Sequence, residues 1–183
     1  MTKKRDRVFA LFGAILFFVT ASALTVAVIV NAVTNKGDDN KSNCSNNVLA
    51  TKKVSSTPLA GTKLANFTPL NSIASLQELD TTAGTGCVVK TGDTVTVDYT
   101  GAVAATGDIF QSSYDSGQPV TFGLDQVIKG WTDGVPGMKV GGTRRLLIPA
   151  VQAYGATPPS GSGIPANADL VFDITVHAIT PSN

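Results

Sequence analysis

No charged residue occurs between positions 8 and 35, and the 26 positions 8–33 are dominated by Leu, Ile, Val, Phe and Ala. As a helix rising 1.5 Å per residue that run is about 39 Å long, longer than the roughly 30 Å hydrocarbon core of a bilayer. It predicts a membrane span, so any water-soluble fold must be built from the remainder. Lys3, Lys4, Arg5 and Arg7 precede it against Asp6 alone, which by the positive-inside rule keeps that end cytoplasmic. The organisation read from the chain is a cytoplasmic basic tail at 1–7, a transmembrane signal anchor at 8–35, a polar stalk at 36–63 and a domain at 64–183, placed outside the cytoplasmic membrane. A cleaved secretory signal stays open as a second reading. Ala21-Ser22-Ala23 has the small-residue form of a cleavage site, although cutting there leaves the apolar 24–33 as a new N-terminus.

Beyond Asn35, ten Lys and Arg face twelve Asp and Glu, about −2 in all. That balance lacks the basic field nucleic-acid binding requires and gives no pull toward an anionic lipid surface. The stretch K-G-D-D-N-K-S-N-C-S-N-N at 36–47 has the composition of a solvated linker. Cys44 within it and Cys87 would meet an oxidising compartment after export, so a bridge between them and a pair of free thiols are both open readings. Two distant cysteines and one histidine do not supply the roughly four ligands of a zinc site.

From Leu64 onward the periodicity is mainly two. Strands are predicted at 76–79, at 94–100 (T-V-T-V-D-Y-T), at 143–149 (T-R-R-L-L-I-P) and at 170–179. On the last, Phe172, Ile174, Val176 and Ala178 should share one face. One short helix is expected at 124–131, closing around Gly130. Residues 62–75 read as either an extra strand or the top of the stalk. Several strands and one helix make an antiparallel α+β domain. The loop at 154–168 is rich enough in Pro and Gly to form a flap beside a pocket.

Conventional catalytic chemistry is poorly represented. His177 lies six residues from the end on a predicted polar strand face, and no G-x-S-x-G elbow, P-loop or G-x-G-x-x-G start accompanies it. No cofactor is expected. What the chain does carry is a set of large rings at loop edges: Tyr99, Phe110, Phe122, Trp131, Tyr154 and Phe172. Each taken alone reads as core.

Their order and neighbours resemble the FKBP-type peptidyl-prolyl cis-trans isomerases. The resemblance runs through V-D-Y-T-G (97–101), I-F-Q-S-S (109–113), V-I-K-G-W (127–131), G-M-K-V-G (137–141), A-Y-G-A (153–156), I-P-A-N-A (164–168) and L-V-F-D-I (170–174). It implies a twisted antiparallel half-barrel wrapping one short helix, with an apolar pocket between them. By that resemblance Trp131 is the pocket floor, and Tyr99, Phe110, Val127, Ile128, Ile164 and Phe172 are its walls. Tyr154 is a rim hydroxyl for a substrate carbonyl, with the Ile128 N–H as a second donor. The implied partners are proline-containing unfolded or exported polypeptides and FKBP-directed macrolides. Three positions depart from the family pattern: Gln111 and Gln126 stand where acidic residues are usual, and Val120 where Phe is common. These departures keep a binding or chaperone module in view beside an enzyme. A purely structural surface domain would have no pocket.

Overall fold

The computed structural model describes Cys44 and residues 58–182. The anchor expected at 8–35, the basic tail and most of the stalk lie outside the described residues. Among the described residues no helix is long and apolar enough to cross a membrane.

Six strands form one antiparallel sheet: β1 (Gln77–Thr82), β2 (Thr94–Val103), β3 (Ile109–Ser112), β4 (Val120–Gly123), β5 (Thr143–Ile148) and β6 (Leu170–Thr180). The order is β1-β5-β6-β2-β3, with β4 also on β2. β2 is the spine. One edge pairs with β6 throughout, while the other is shared, β4 covering Thr94 to Val97 and β3 covering Thr100 to Ala102. Strand alternation sends Val95, Val97, Tyr99, Leu146, Ile148, Phe172 and Ile174 to an inner face, where the one α-helix among the described residues, α1 (Lys129–Gly134), packs through Trp131 and Val135.

The outer face is also apolar. Ala102, Leu147 and Val171 are covered there by Leu64 and Ile73, with Leu59, Phe67 and Leu70 around them. The covering segment is irregular and pairs as a strand only at Lys63, opposite Asp108. Its backbone bonds to the hairpin between β2 and β3, Gly61 N–H to Ile109 O at 2.7 Å and Leu70 N–H to Ala104 O at 2.9 Å. Arg145 clamps it from the sheet, donating to Asn66 O at 2.7 Å with its guanidinium 5.5 Å from the Phe67 ring centroid.

Two local features differ from the sequence reading. The helix starts at Lys129 rather than Leu124: Leu124 is fully buried in a turn closed by Gln126 N–H to Gly123 O (2.9 Å), and Ile128 is still extended at ψ 150°. Gly130 does not end the helix. A Cβ there would lie 2.7 Å from Ile148 Cδ1, and one on Gly134 would lie 2.9 Å from Leu146 Cδ2, so these glycines let α1 press onto β5. On β6, the register passes from Thr96↔Ala178 to Val97↔Val176, leaving His177 as a bulge. The extra residue switches the face, so Ile179 rather than Ala178 reaches the core.

α1 has six residues, too few to be stable alone. Arg144, on the inner face of β5 and 7% exposed, holds its C-terminal end, donating to Gly134 O at 2.8 Å. The same guanidinium forks onto Asp80 (2.6 and 3.0 Å) and reaches Glu78 at 2.5 Å, tying edge strand β1 to the helix. A disulfide joins Cys44 to Cys87, with the Cα atoms 5.7 Å apart.

Arg144→Met is expected to cost about 2–3 kcal/mol in denaturant unfolding, because it leaves a buried carbonyl unpaired and frees β1. The bond to Arg144 holds the Asp80 carboxyl below its ordinary range, so this contribution is present above that range and lost on acidification. The wild-type advantage over Arg144→Met should therefore shrink as pH falls through the carboxylate range. Across the 43-residue separation of the disulfide, the chain-entropy relation gives about 4 kcal/mol. Cys87→Ser is expected to lower stability by about 2–4 kcal/mol, against no change if the bridge contributes nothing.

Candidate active site

Between α1 and the inner face, the rings gather around Trp131. Its centroid is 5.4 Å from Phe172, 5.6 Å from Tyr99 and 5.6 Å from Phe122, at interplanar angles of 84–90°. Perpendicular contacts of this kind set ring edges against ring faces and fix each orientation. Trp131 is 4% exposed, and its indole Nε1 is buried without a hydrogen-bond partner. Its position is therefore set by packing alone.

Phe110 completes the wall, 5.7 Å from Phe172 at 83°. Gly101 makes that contact feasible, since a Cβ there would come within 2.6 Å of both rings. Between Gly101 and Ala102 the β2–β3 register shifts, so Ile109 faces the outer cluster while Phe110 faces the inner one. Gln111 is paired directly with Gly101 and so shares the pocket face. Val120, Val127, Ile128, Tyr154 and Ile164 are half-buried against the same cluster. Ile128 immediately precedes α1, and its carbonyl accepts from Trp131 N–H (2.9 Å) and Thr132 N–H (3.2 Å). Its own N–H therefore has no place in the helical ladder. Trp131, Tyr99, Phe110, Gln111, Val120, Val127, Ile128, Tyr154, Ile164 and Phe172 thus come to one face of the sheet or its rim, while Gln126 is exposed outside the cluster.

Phe122 was named among the loop-edge rings but not as a wall, and it sits 5.8 Å from Tyr99 as well as beside Trp131. The available signal was the alternation V-T-F-G, in which Thr121 turns outward to Thr96 (Oγ1 to Oγ1, 2.9 Å) and leaves Val120 and Phe122 inward. His177 is not at the pocket; its Nε2 lies 2.8 Å from Asp98 Oδ2 on the other face.

The pocket's polar groups are neutral hydroxyls and an amide. The Tyr99 phenol is pushed up to about 12, mainly by burial, then by Tyr154 and Asp115 nearby. Burial also raises Tyr154. The flap holding Tyr154 folds back on itself, Asn167 N–H to Gly155 O at 2.7 Å, and Asp169 fixes its base by accepting from Ala150 N–H at 2.8 Å. Among the described residues no cluster of His, Cys, Asp and Glu could hold a metal ion. The arrangement has room for chemistry of one kind, an apolar ring set against Trp131 with the Tyr154 hydroxyl at the rim.

A model of the FKBP-type peptidyl-prolyl cis-trans isomerase family matches residues 86–177, which is 92 of 183 residues. A probable FKBP-type peptidyl-prolyl cis-trans isomerase of Haemophilus influenzae is 45% identical over 55% of this chain and 41% of its own length. An FK506-binding protein of Streptomyces anulatus is 45% identical over 58% of this chain and 87% of its own. The crystal structure of FkpA from Escherichia coli superposes with a TM-score of 0.53 and 41% identity, over 59% of this chain and 49% of that one. The chain therefore spans less than half the length of the Haemophilus relative and of FkpA. Motifs, antiparallel sheet with one short helix, and family model all agree: the chain belongs to the FKBP-type peptidyl-prolyl cis-trans isomerases.

Proposed function

We propose that this protein accelerates cis-trans isomerisation of X-Pro bonds in exported polypeptides, acting outside the cytoplasmic membrane from a single N-terminal span. The observation carrying the enzymatic part is the uncharged aromatic box around Trp131 with the Tyr154 hydroxyl at its rim. Rotation about the prolyl amide faces a barrier of about 18–20 kcal/mol because the planar bond is partly double and dipolar. The twisted amide is less dipolar. A pocket that removes water and grips the twisted form better than either planar isomer lowers the barrier, and about 4 kcal/mol of such preference gives roughly a thousandfold. Tyr154 donates to the carbonyl preceding or following the proline, and the Ile128 N–H serves as second donor. The uncharged run at 8–33, its basic flank and the Cys44–Cys87 bridge support the export and anchoring. The Streptomyces relative is named for binding FK506, and the same aromatic box suits a macrolide here.

The test is acceleration of isomerisation in short X-Pro peptides. Tyr154→Phe should lower kcat/KM about tenfold, the worth of one hydrogen bond, without unfolding the chain. Trp131→Ala should remove the activity. No acceleration by the folded wild type would overturn the enzyme and leave a binding module. If Gln111 is what limits turnover, Gln111→Asp will raise it; otherwise that variant will match wild type.

The raised phenols make a separate prediction. Between the ordinary tyrosine range and about 12, the native chain retains a proton on Tyr99 that the unfolded chain releases. Stability must then fall as pH rises through that window. Tyr99→Phe should flatten this alkaline decline in urea midpoints, and isomerisation should be flat with pH below it.

A further inference from the structure

Tyr99 lies where the free edge of β2 changes partner. Pairing with β3 ends at Thr100↔Ser112 and pairing with β4 begins at Val97↔Val120, so Asp98 and Tyr99 fall in the gap between them. A buried backbone group left unpaired there would cost about 1–3 kcal/mol. Two serine hydroxyls take the missing strand's place: Tyr99 N–H donates to Ser113 Oγ at 3.0 Å, and Ser112 Oγ donates to Tyr99 O at 3.2 Å. Having accepted from Tyr99, the Ser113 hydroxyl directs its own proton to Asp98 Oδ1 at 2.8 Å. Asp98 is 8% exposed, and its second oxygen is held by His177 Nε2 at 2.8 Å. His177 is in reach because it is the bulged residue of β6. It is the chain's only histidine.

We propose that Asp98 and Ser113 are positioning residues of the pocket, fixing the Tyr99 wall from the far face of the sheet, with His177 orienting Asp98. This rests on the isomerase reading for its kinetic consequence only. Asp98 never meets the substrate. It sets the orientation of a hydroxyl that sets the backbone of Tyr99, whose ring touches Trp131, Phe122 and Phe172.

Trp131 is the only tryptophan, so its emission reports on the pocket directly. In the full chain, Ser113→Ala and Asp98→Ala are each expected to shift that emission and raise KM for a proline tetrapeptide about three- to tenfold, the worth of one hydrogen bond, with kcat nearly unchanged. The double variant should be no worse than the more affected single one. Asp98→Asn, which keeps an acceptor for Ser113, should restore most of both. The control is Thr143→Val, which removes the outer-face hydroxyl pair with Thr175 (2.9 Å) and should lower stability while leaving emission and KM alone. Emission and KM unmoved in Ser113→Ala and Asp98→Ala, additive effects in the double variant, or an equal shift in Thr143→Val would each overturn the proposal. If the wild type fails to isomerise the peptide, the isomerase reading falls, and the emission series with its control still decides the relay.

Discussion

A six-residue helix carries the pocket floor, and a helix that short has no stability of its own, so the site depends on what grips it. The grip comes from β5. Ile148 and Leu146 meet the bare faces of Gly130 and Gly134, and Arg144, two residues further back on the same face, binds the last helical carbonyl. A buried guanidinium is tolerated because its donors are taken up by Asp80, Glu78 and backbone carbonyls, with the carboxylates themselves near solvent. Trp131, fixed from beneath by these contacts, needs no hydrogen bond to stay in place.

With the floor fixed, the remaining walls come from a sheet that is apolar on both faces along its centre. An inner face alone would leave Ala102, Leu147 and Val171 open to water. The irregular segment before β1 covers them, and Arg145 and Asp169 bind it. The pocket can then remain free of charge, because the ion pairs of the described residues stand away from the aromatic cluster: Arg144 pairs with edge strand β1, Arg145 with Asp173 on the outer face, and Lys129 with Asp133 along the exposed side of α1. Neutral surroundings suit the proposed isomerisation, in which the amide loses dipole on the way to the transition state.

Much of this was legible in the sequence where one rule acted alone. Alternation located β2, β5 and β6, and motif order brought the ten site residues to one place. Legibility failed where two rules competed. Gly130 reads as a helix stop by propensity, yet it is there because Ile148 allows no Cβ, a contact visible only in three dimensions. The bulge at His177 carries no local mark and moves the core role from Ala178 to Ile179. β4 is four residues long and follows a Gly and a Pro, so V-T-F-G reads as loop and Phe122 falls outside the wall that the motifs outline. The outer cover at 58–75 has no periodicity because its task is to fill an uneven surface, and the partner of Cys44 was a matter of distance that residue spacing does not encode.

The bridge between Cys44 and Cys87 also decides how the fold carries load. A pull applied to the chain before Cys44 passes through the sulfur atoms to Cys87, whose carbonyl accepts from Val140 N–H at 3.0 Å, while Cys44 O accepts from Ile179 N–H of β6 at 3.4 Å. The 42 residues between the two cysteines are bypassed. The cover on the outer face and edge strand β1 therefore bear no tension while the bridge is intact. With the bridge reduced, the first bonds of the described cover to meet the same pull are Leu59 N–H to Asp115 Oδ1 and Gly61 N–H to Ile109 O. The covalent link acts as a strain relief, diverting traction applied before Cys44 away from the cover and β1.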